Sequence, residues 1–350
     1  MRKSKIHRVW LAIVLSSFAL FLFTIQSWGR LMNPPSMADV RQLAERAPSV
    51  FRGHVLTVTP ITTSAEAGAR VESIARIQVD RWYRGKESAE ALLRFAYSGE
   101  IFRNGHDCID FRPETYWIVF AAEKNGQMEM IDDCEGALTT SPLLGPDLGN
   151  ENWLSQMETD FLAGLNDQNS AARLVSIQRL GGLKSPSSRD ALHGVIENGN
   201  DAESKWAVYA ALRTGDVSVL PRVKRLLASG DRALPESAIA LQLQSVTDPD
   251  AVPDLIAILE SAPSELTRMC VLVALGEKLK APRAVPSLAA HLSDPDSYAR
   301  YDALDGLKNI THEDACTLPR EWKEQDVEPQ ILRCKIWWEQ VGKLRDWSQN

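Results

Sequence analysis

Three prolines set the frame for half of this chain. Pro221, Pro253 and Pro286 recur at intervals of 32 and 33 residues, in the segments VSVLPRVKRLLASG, DAVPDLIAILESA and RAVPSLAAHLSD. Each segment alternates apolar and polar residues with a helical period. A proline in the first turn of a helix forfeits no hydrogen bond, so its recurrence marks the same starting point in successive units. A second helical pattern follows each first one: ALPESAIALQLQSV, SELTRMCVLVALGEKL and DSYARYDALDGLKNI. Another marker keeps the same period, since Arg173, Lys205, Glu236, Arg268 and Arg300 fall in second helices at spacings of 32, 31, 32 and 32. Together the markers place five helix pairs, starting near residues 153, 187, 217, 250 and 283. A pair of this size cannot hide its apolar stripe alone, so the pairs must stack into a solenoid over residues 153–310.

With the proline marker, the D-P-D turns at Asp248–Asp250 and Asp294–Asp296 and the charged ladder, this segment resembles HEAT repeats of the short bacterial type, in the same broad group as the HEAT-like repeats of phycobilisome lyases. The resemblance implies a scaffold fold and, for most such arrays, protein binding. The ladder itself reads as structural. Glu236 interrupts any positive docking stripe, whereas an arginine inserted between repeats, such as Arg300 toward Asp294 or Asp296, makes a charge-assisted hydrogen bond that ties one repeat to the next.

Before residue 153 the period changes to two. VFRGHVLTV, SIARIQVDRWY, ALLRFAY, TYWIVFAAE and MEMID read as strands separated by turn chemistry, with EKNGQ as a hairpin signal. Five or six strands between Ala47 and Thr140 suit a small closed barrel better than a sandwich. The fold class is therefore α+β multidomain: a small closed β-barrel, the solenoid, and a capping segment over residues 311–350.

The first 29 residues read as an export signal or membrane anchor. MRKSKIHR is basic, and residues 9–25 carry no charge. No A-x-A site follows, which favours an uncleaved anchor with the rest of the chain outside the cytoplasm, in the periplasm or at the cell exterior. A formal charge of −7 argues against nucleic acid as a partner.

An oxidising compartment makes disulfides the default for paired cysteines. Cys108 and Cys134 bracket HDCIDFRPETYWIVFAAEKNGQMEMIDDC and are expected to staple that hairpin region. A zinc site would need more ligands than these two and His106. A reactive thiol is disfavoured by Asp107, Asp110, Asp132 and Asp133, whose charges raise a thiol pKa. Cys316 and Cys334 flank the loop before the final helix and form a second expected bridge, leaving Cys270 in RMCVLVAL as a buried thiol. The order VFRGHV, RIQVDRWYRGKE, Cys108, ETYWIVFAAE, DCEGALTTS resembles the netrin or tissue-inhibitor-of-metalloproteinases type of OB domain. That resemblance covers residues 38–142 and implies that the barrel is OB-like, with the Cys108–Cys134 pairing and a protein-binding habit. It does not imply protease inhibition, because no cysteine precedes Cys108 to offer an N-terminal amine to a zinc.

No nucleophile elbow, P-loop, H-E-x-x-H or dinucleotide fingerprint is present, and the six histidines are scattered. The expected function is thus a non-enzymatic extracytoplasmic scaffold without metal or cofactor, holding a protein partner against the face made by the second helices. Trp206, Tyr209, Arg213 and Tyr301 are its candidate anchors, Trp206 and Tyr209 having an alternative place in the inter-repeat core. The competing expectation is an envelope enzyme or enzyme accessory, lyase-like or glycan-acting, with a site on the barrel that gathers His54, His106 and carboxylates. In the tail, Trp337, Trp338, Ile336 and Val341 are expected to shield the open end of the last repeat.

Overall fold

The computed structural model describes residues 40–61, 70–98, 111–132, 136–149, 152–230, 236–262, 264–318 and 324–348. The expected export segment, Cys108, Cys134 and His106 lie outside the described residues. Among the described residues no helix is long and apolar enough to cross a membrane. The chain divides into two compact units, residues 1–175 and 176–350.

Among its described residues the first unit has a short helix, α1 (Val40–Arg46), and six strands: β1 (Ser49–Pro60), β2 (Arg70–Arg84), β3 (Glu90–Ser98), β4 (Tyr116–Lys124), β5 (Gln127–Met130) and β6 (Ala137–Thr139). Five of them close in the order β1-β2-β3-β5-β4-β1, with β6 joined to β4. All pairings are antiparallel except β3 with β5. This is the small closed barrel expected from the strand pattern. Closure falls to β1, whose first half pairs with β2 on one side and with β4 on the other, from Ser49↔Ala121 to His54↔Tyr116. A strand serving two partners must bend, and its register against β2 shifts at Arg52/Gly53. Gly53 is required there because a Cβ would stand 2.2 Å from the Gln78 carbonyl oxygen. The β4–β5 hairpin turns through Asn125 and Gly126, at φ of 54° and 73°, the positive pair that a two-residue type I′ turn demands. Inside the ring, Phe51, Val55, Ile77, Leu93, Phe95 and Trp117 form the core.

After the barrel, the chain runs to α2 (Trp153–Gly164), and a buried polar joint holds the two together. Asp160 on α2 is fully buried. Its Oδ1 accepts from Arg81 Nη1 at 2.5 Å and from the Gly145 N–H at 2.8 Å, and its Oδ2 accepts from the Tyr83 hydroxyl at 2.5 Å. Burial and the Asp160 carboxylate push the Tyr83 hydroxyl well above the usual phenol range, so it stays a donor. One turn earlier, Gln156 Nε2 donates to the Pro146 carbonyl at 2.7 Å, and a Cβ on Gly145 would meet the Thr159 carbonyl at 2.3 Å. Residues 145–148 are thereby held between β2 and α2.

The second unit begins within α3 (Ser170–Leu183) and continues with α4 (Pro186–Asn198), α5 (Asp201–Arg213), α6 (Leu220–Ser229), α7 (Glu236–Gln244), α8 (Val252–Ser261), α9 (Glu265–Val273), α10 (Val285–His291), α11 (Ser297–Thr311) and α12 (Glu324–Gln340). Pro186, Pro221, Pro253 and Pro286 each occupy the first turn of a first helix. Side-chain caps start the second helices: Asn200 with Glu203 forms a reciprocal capping box at α5, Ser264 caps α9 and Asp296 caps α11.

The final helix is bridged to the preceding loop by Cys316–Cys334, while Cys270 is free and buried. Val327, Ile331, Cys334 and Trp337 form its buried face, spaced 4, 3 and 3 residues apart. Ile336 falls off that stripe and Val341 lies just past the end of the helix; they are 47% and 41% exposed, which corrects the expectation that they shield the end of the array.

Candidate functional site

From Glu236 onward the charged ladder fastens one repeat to the next. Arg268 on α9 donates from Nε and Nη2 to Asp294 at 2.8 and 3.0 Å, a two-pronged bond to the turn before α11. Arg300 on α11 donates to Glu328 on α12 and, from Nη1, to the Asp294 and Pro295 carbonyls at 3.0 and 3.1 Å. At Glu236 the ladder residue is an acceptor, and the next turn answers with donors, the hydroxyls of Ser264 and Thr267. The sign of the ladder residue thus follows the chemistry of the turn it reaches. Arg173 and Lys205 bond within their own repeats, to the Asp167 and Gln168 carbonyls and to Asp201.

The four candidate anchors separate into two kinds. Trp206 and Tyr209 are 7% and 5% exposed, with rings edge-to-face at 5.9 Å. Every residue from Trp206 to Leu212 on α5 is buried, as in a helix covered on all sides. They are packing residues and not open anchors, because α5 has no apolar face left over for a partner. Tyr301 and Arg213 remain within reach of solvent.

Tyr301 stands among carboxylates. Burial, then the charges of Asp305 and Asp302, raise its hydroxyl pKa. Asp302 is itself pushed up to about 7, first by burial and then by Asp305, Asp296 and Glu277. Asp305 is raised as well, by burial more than by Glu277, although Asn309 Nδ2 donates to it at 3.0 Å. Alongside, the end of α9 widens into a π-helical turn, Ala274–Lys278, where Gly276 lies against Gly306 so closely that a Cβ would stand 2.3 Å from its Cα. This acidic group was legible only as the spacing of Asp302 and Asp305 in YDALDG, which reads equally as a solvated helix face.

Arg213 borders a cavity of about 240 Å³ formed by the turns after α3, α5 and α7, with Lys184, Gln242, Thr247 and Asp248 also in its wall. Its Nη1 donates to the Gln178 carbonyl at 3.3 Å. Burial lowers the guanidinium pKa, against a lesser upward effect of Tyr209. Behind it, Arg179 is brought down to about 10 by burial and by the Arg213 charge. Sequence reading had Arg213 but not the cavity, whose walls come from three loops about one repeat apart.

On the barrel, His54 Nδ1 lies 3.7 Å from Asp80 Oδ1, with the Tyr116 ring 5.3 Å away. The fully buried Arg52 donates from Nη2 to the Ser141 carbonyl at 2.5 Å and places its guanidinium 5.9 Å from the Tyr116 ring centre. Among the described residues no group of three or more His, Cys, Asp or Glu side chains is placed to hold a metal ion.

Comparison with known proteins bears on the second unit. A family profile described as HEAT repeats matches residues 235–308. That segment is similar to HEAT repeats. It runs through α7 to α11, the stretch in which the ladder passes from Glu236 through Arg268 to Arg300, so the HEAT-type register and the observed fastening coincide. No curated protein matches the chain. Among solved structures, the complex of CpcE and CpcF of phycocyanin lyase from Nostoc sp. PCC7120 aligns at 22% identity over 50% of this chain and 70% of that one, with a TM-score of 0.35, too low to bear on function.

Proposed function

We propose that this protein is a non-enzymatic interaction scaffold, an OB-like barrel carrying a HEAT-type array that holds a polypeptide partner outside the cytoplasm. The observation that carries the reading is the relay at one register, Glu236 to Ser264 and Thr267, Arg268 to Asp294 and Arg300 to Glu328. It fixes the spacing of successive second helices, and arrays stacked this way serve chiefly as extended binding surfaces. Tyr301, with Asp302 and Asp305, and Arg213 are the side chains on second helices that we assign to the partner. The location is supported by the Cys316–Cys334 bridge, since such bonds persist in oxidising compartments, and by the basic and apolar start of the chain.

In-cell crosslinking followed by purification and mass spectrometry tests the scaffold. The native chain is expected to recover a defined partner that is lost on Tyr301→Ala or Asp305→Lys. Equal recovery by native and variant chains would remove these residues from the interface, and no specific partner would remove the reading. Maleimide labelling of intact cells and of lysates tests the compartment, the expected result being that Cys316 and Cys334 stay unreactive until reduced. For the enzyme alternative, the His54–Asp80 pair is the place to look: an activity on envelope glycans abolished by His54→Ala would displace the scaffold.

A further inference from the structure

The cavity beside Arg213 has a size, a charge and a setting that together specify an occupant. Small-molecule sites run from about 300 to 1,000 Å³. At about 240 Å³ this one falls short of that range and suits a single side-chain-sized group. Its wall carries two cations, Lys184 and Arg213, against one carboxylate, Asp248, whose Oδ1 already accepts the Asp250 N–H at 3.0 Å. Of the three hydroxyls in the wall two are committed inward, Thr214 to the Ala211 carbonyl at 2.7 Å and Ser245 to the Gln242 carbonyl at 2.8 Å, and the third is that of Thr247. The charged donors facing an occupant are therefore Lys184 and Arg213, with the Thr247 hydroxyl and the Gln242 amide as neutral ones.

We propose that this cavity is a carboxylate-binding site that takes the side chain of an acidic residue on a polypeptide, with Arg213 as the two-pronged donor and Lys184 as the second charge. A planar guanidinium matches a carboxylate with two parallel N–H···O bonds, which a lysine alone does not provide. The assignment rests on the scaffold reading for its polypeptide source. Burial of the Arg213 guanidinium adds a physical reason, because an anion beside it offsets a charge withdrawn from water. Lys184 reaches the wall by an unusual route. It occupies the position just after α3 with φ of 55°, where helices commonly end on glycine, as α5 does with Gly215 at φ of 85°.

The test uses the purified full-length chain with N-acetyl-glutamate methylamide, its glutamine counterpart and inorganic phosphate as probes, followed by saturation-transfer NMR titration. The glutamate probe is expected to bind in the millimolar range, at least tenfold more tightly than the glutamine probe or phosphate. Arg213→Gln is expected to remove that preference and Arg213→Lys to weaken it severalfold. Lys184 is exposed, so Lys184→Gln keeps the fold if Arg213→Gln does not, and it is expected to weaken glutamate binding about threefold to tenfold with a shallower salt dependence. Absence of glutamate binding, an equal response to glutamine, or phosphate binding as tightly as glutamate would overturn the proposal. Loss of the site with partners still recovered by crosslinking would leave the scaffold standing. A glutamate-selective site with no recovered partner would support the carboxylate assignment and sink the scaffold.

Discussion

Asp160 shows how much one side chain can hold. Its three acceptor bonds come from two side chains of β2 and from a backbone N–H of the connecting segment, all out of water. Asp160→Ala leaves the Arg81 charge without its carboxylate, holding only the Gly145 carbonyl, and the Tyr83 hydroxyl without its acceptor, and breaking a buried pair this way costs about 3–5 kcal/mol. Tyr83→Phe removes one donor and costs about 1–3 kcal/mol, charge-assisted bonds being the stronger ones. Urea unfolding followed by tryptophan fluorescence is expected to rank them in that order; equal midpoints for native and Asp160→Ala chains would show that the joint contributes nothing. Asp302 behaves in the opposite sense. Its pKa is raised from 3.8 to about 7 in the folded chain, so the native state holds a proton that the unfolded chain has released. Stability from this group is full below pH 4 and is lost as pH rises through 7. Asp302→Asn is therefore expected to stabilise the second unit at pH 8 and to change little at pH 4. A shift of this size bounds the gain at about 4 kcal/mol, which solvent screening at a part-exposed group reduces to roughly 1–2 kcal/mol. Thermal melts at the two pH values check the difference, and the same gain at both would exclude the mechanism.

At the scale of elements, the helices were legible wherever a local rule marks them: proline in the first turn, an Asx or Ser cap, an apolar stripe. The Asn125–Gly126 turn was legible for the same reason, since its backbone conformation is a local demand. Features made by contact between distant segments were not. Asp160 in TDFLAGL reads as the polar face of an amphipathic helix, and only the fold brings Arg81 and Tyr83 to it. The seven residues of α1 are too few to show a period, and Ile336 looked apolar enough to bury until the stripe Val327, Ile331, Cys334, Trp337 fixed which face turns inward. The ladder lies between these cases: its period was visible, but its change of sign at Glu236 makes sense only beside Ser264 and Thr267. A double-mutant cycle separates its structural role from a docking role. The Arg268–Asp294 pair, with side chains 17% and 4% exposed, is expected to couple by about 1.5–3 kcal/mol. The exposed Lys343–Glu339 pair on the outer surface is expected to give below about 0.5 kcal/mol. Coupling energies of the same size in both cycles would mean that the repeats are not tied at this register.

For the molecule as a whole, the terminal helix decides whether the array behaves as a closed unit or frays. A repeat array is held by nearest neighbours, so its last repeat has one interface too few unless something covers it. Here α12 does so with Val327, Ile331 and Trp337, and Arg300 reaches it through Glu328. The Cys316–Cys334 bridge closes a sequence separation of 18 residues. A loop of that length is worth about 3 kcal/mol in the chain-entropy account, roughly a hundredfold in an opening equilibrium. Because the bridge lies at one end of a quasi-linear stack, its removal should act locally first. Reduction, or the double change Cys316→Ser and Cys334→Ser, is thus expected to speed amide exchange about a hundredfold in α12 and the adjoining end of α11. Exchange in β1, β2 and β4 should stay as in the native chain. Hydrogen exchange with mass spectrometry reads both at once. Uniform acceleration through the barrel and the repeats would show that the chain opens as one cooperative body, and the bridge would then be a global brace and not a clamp on the end of the array.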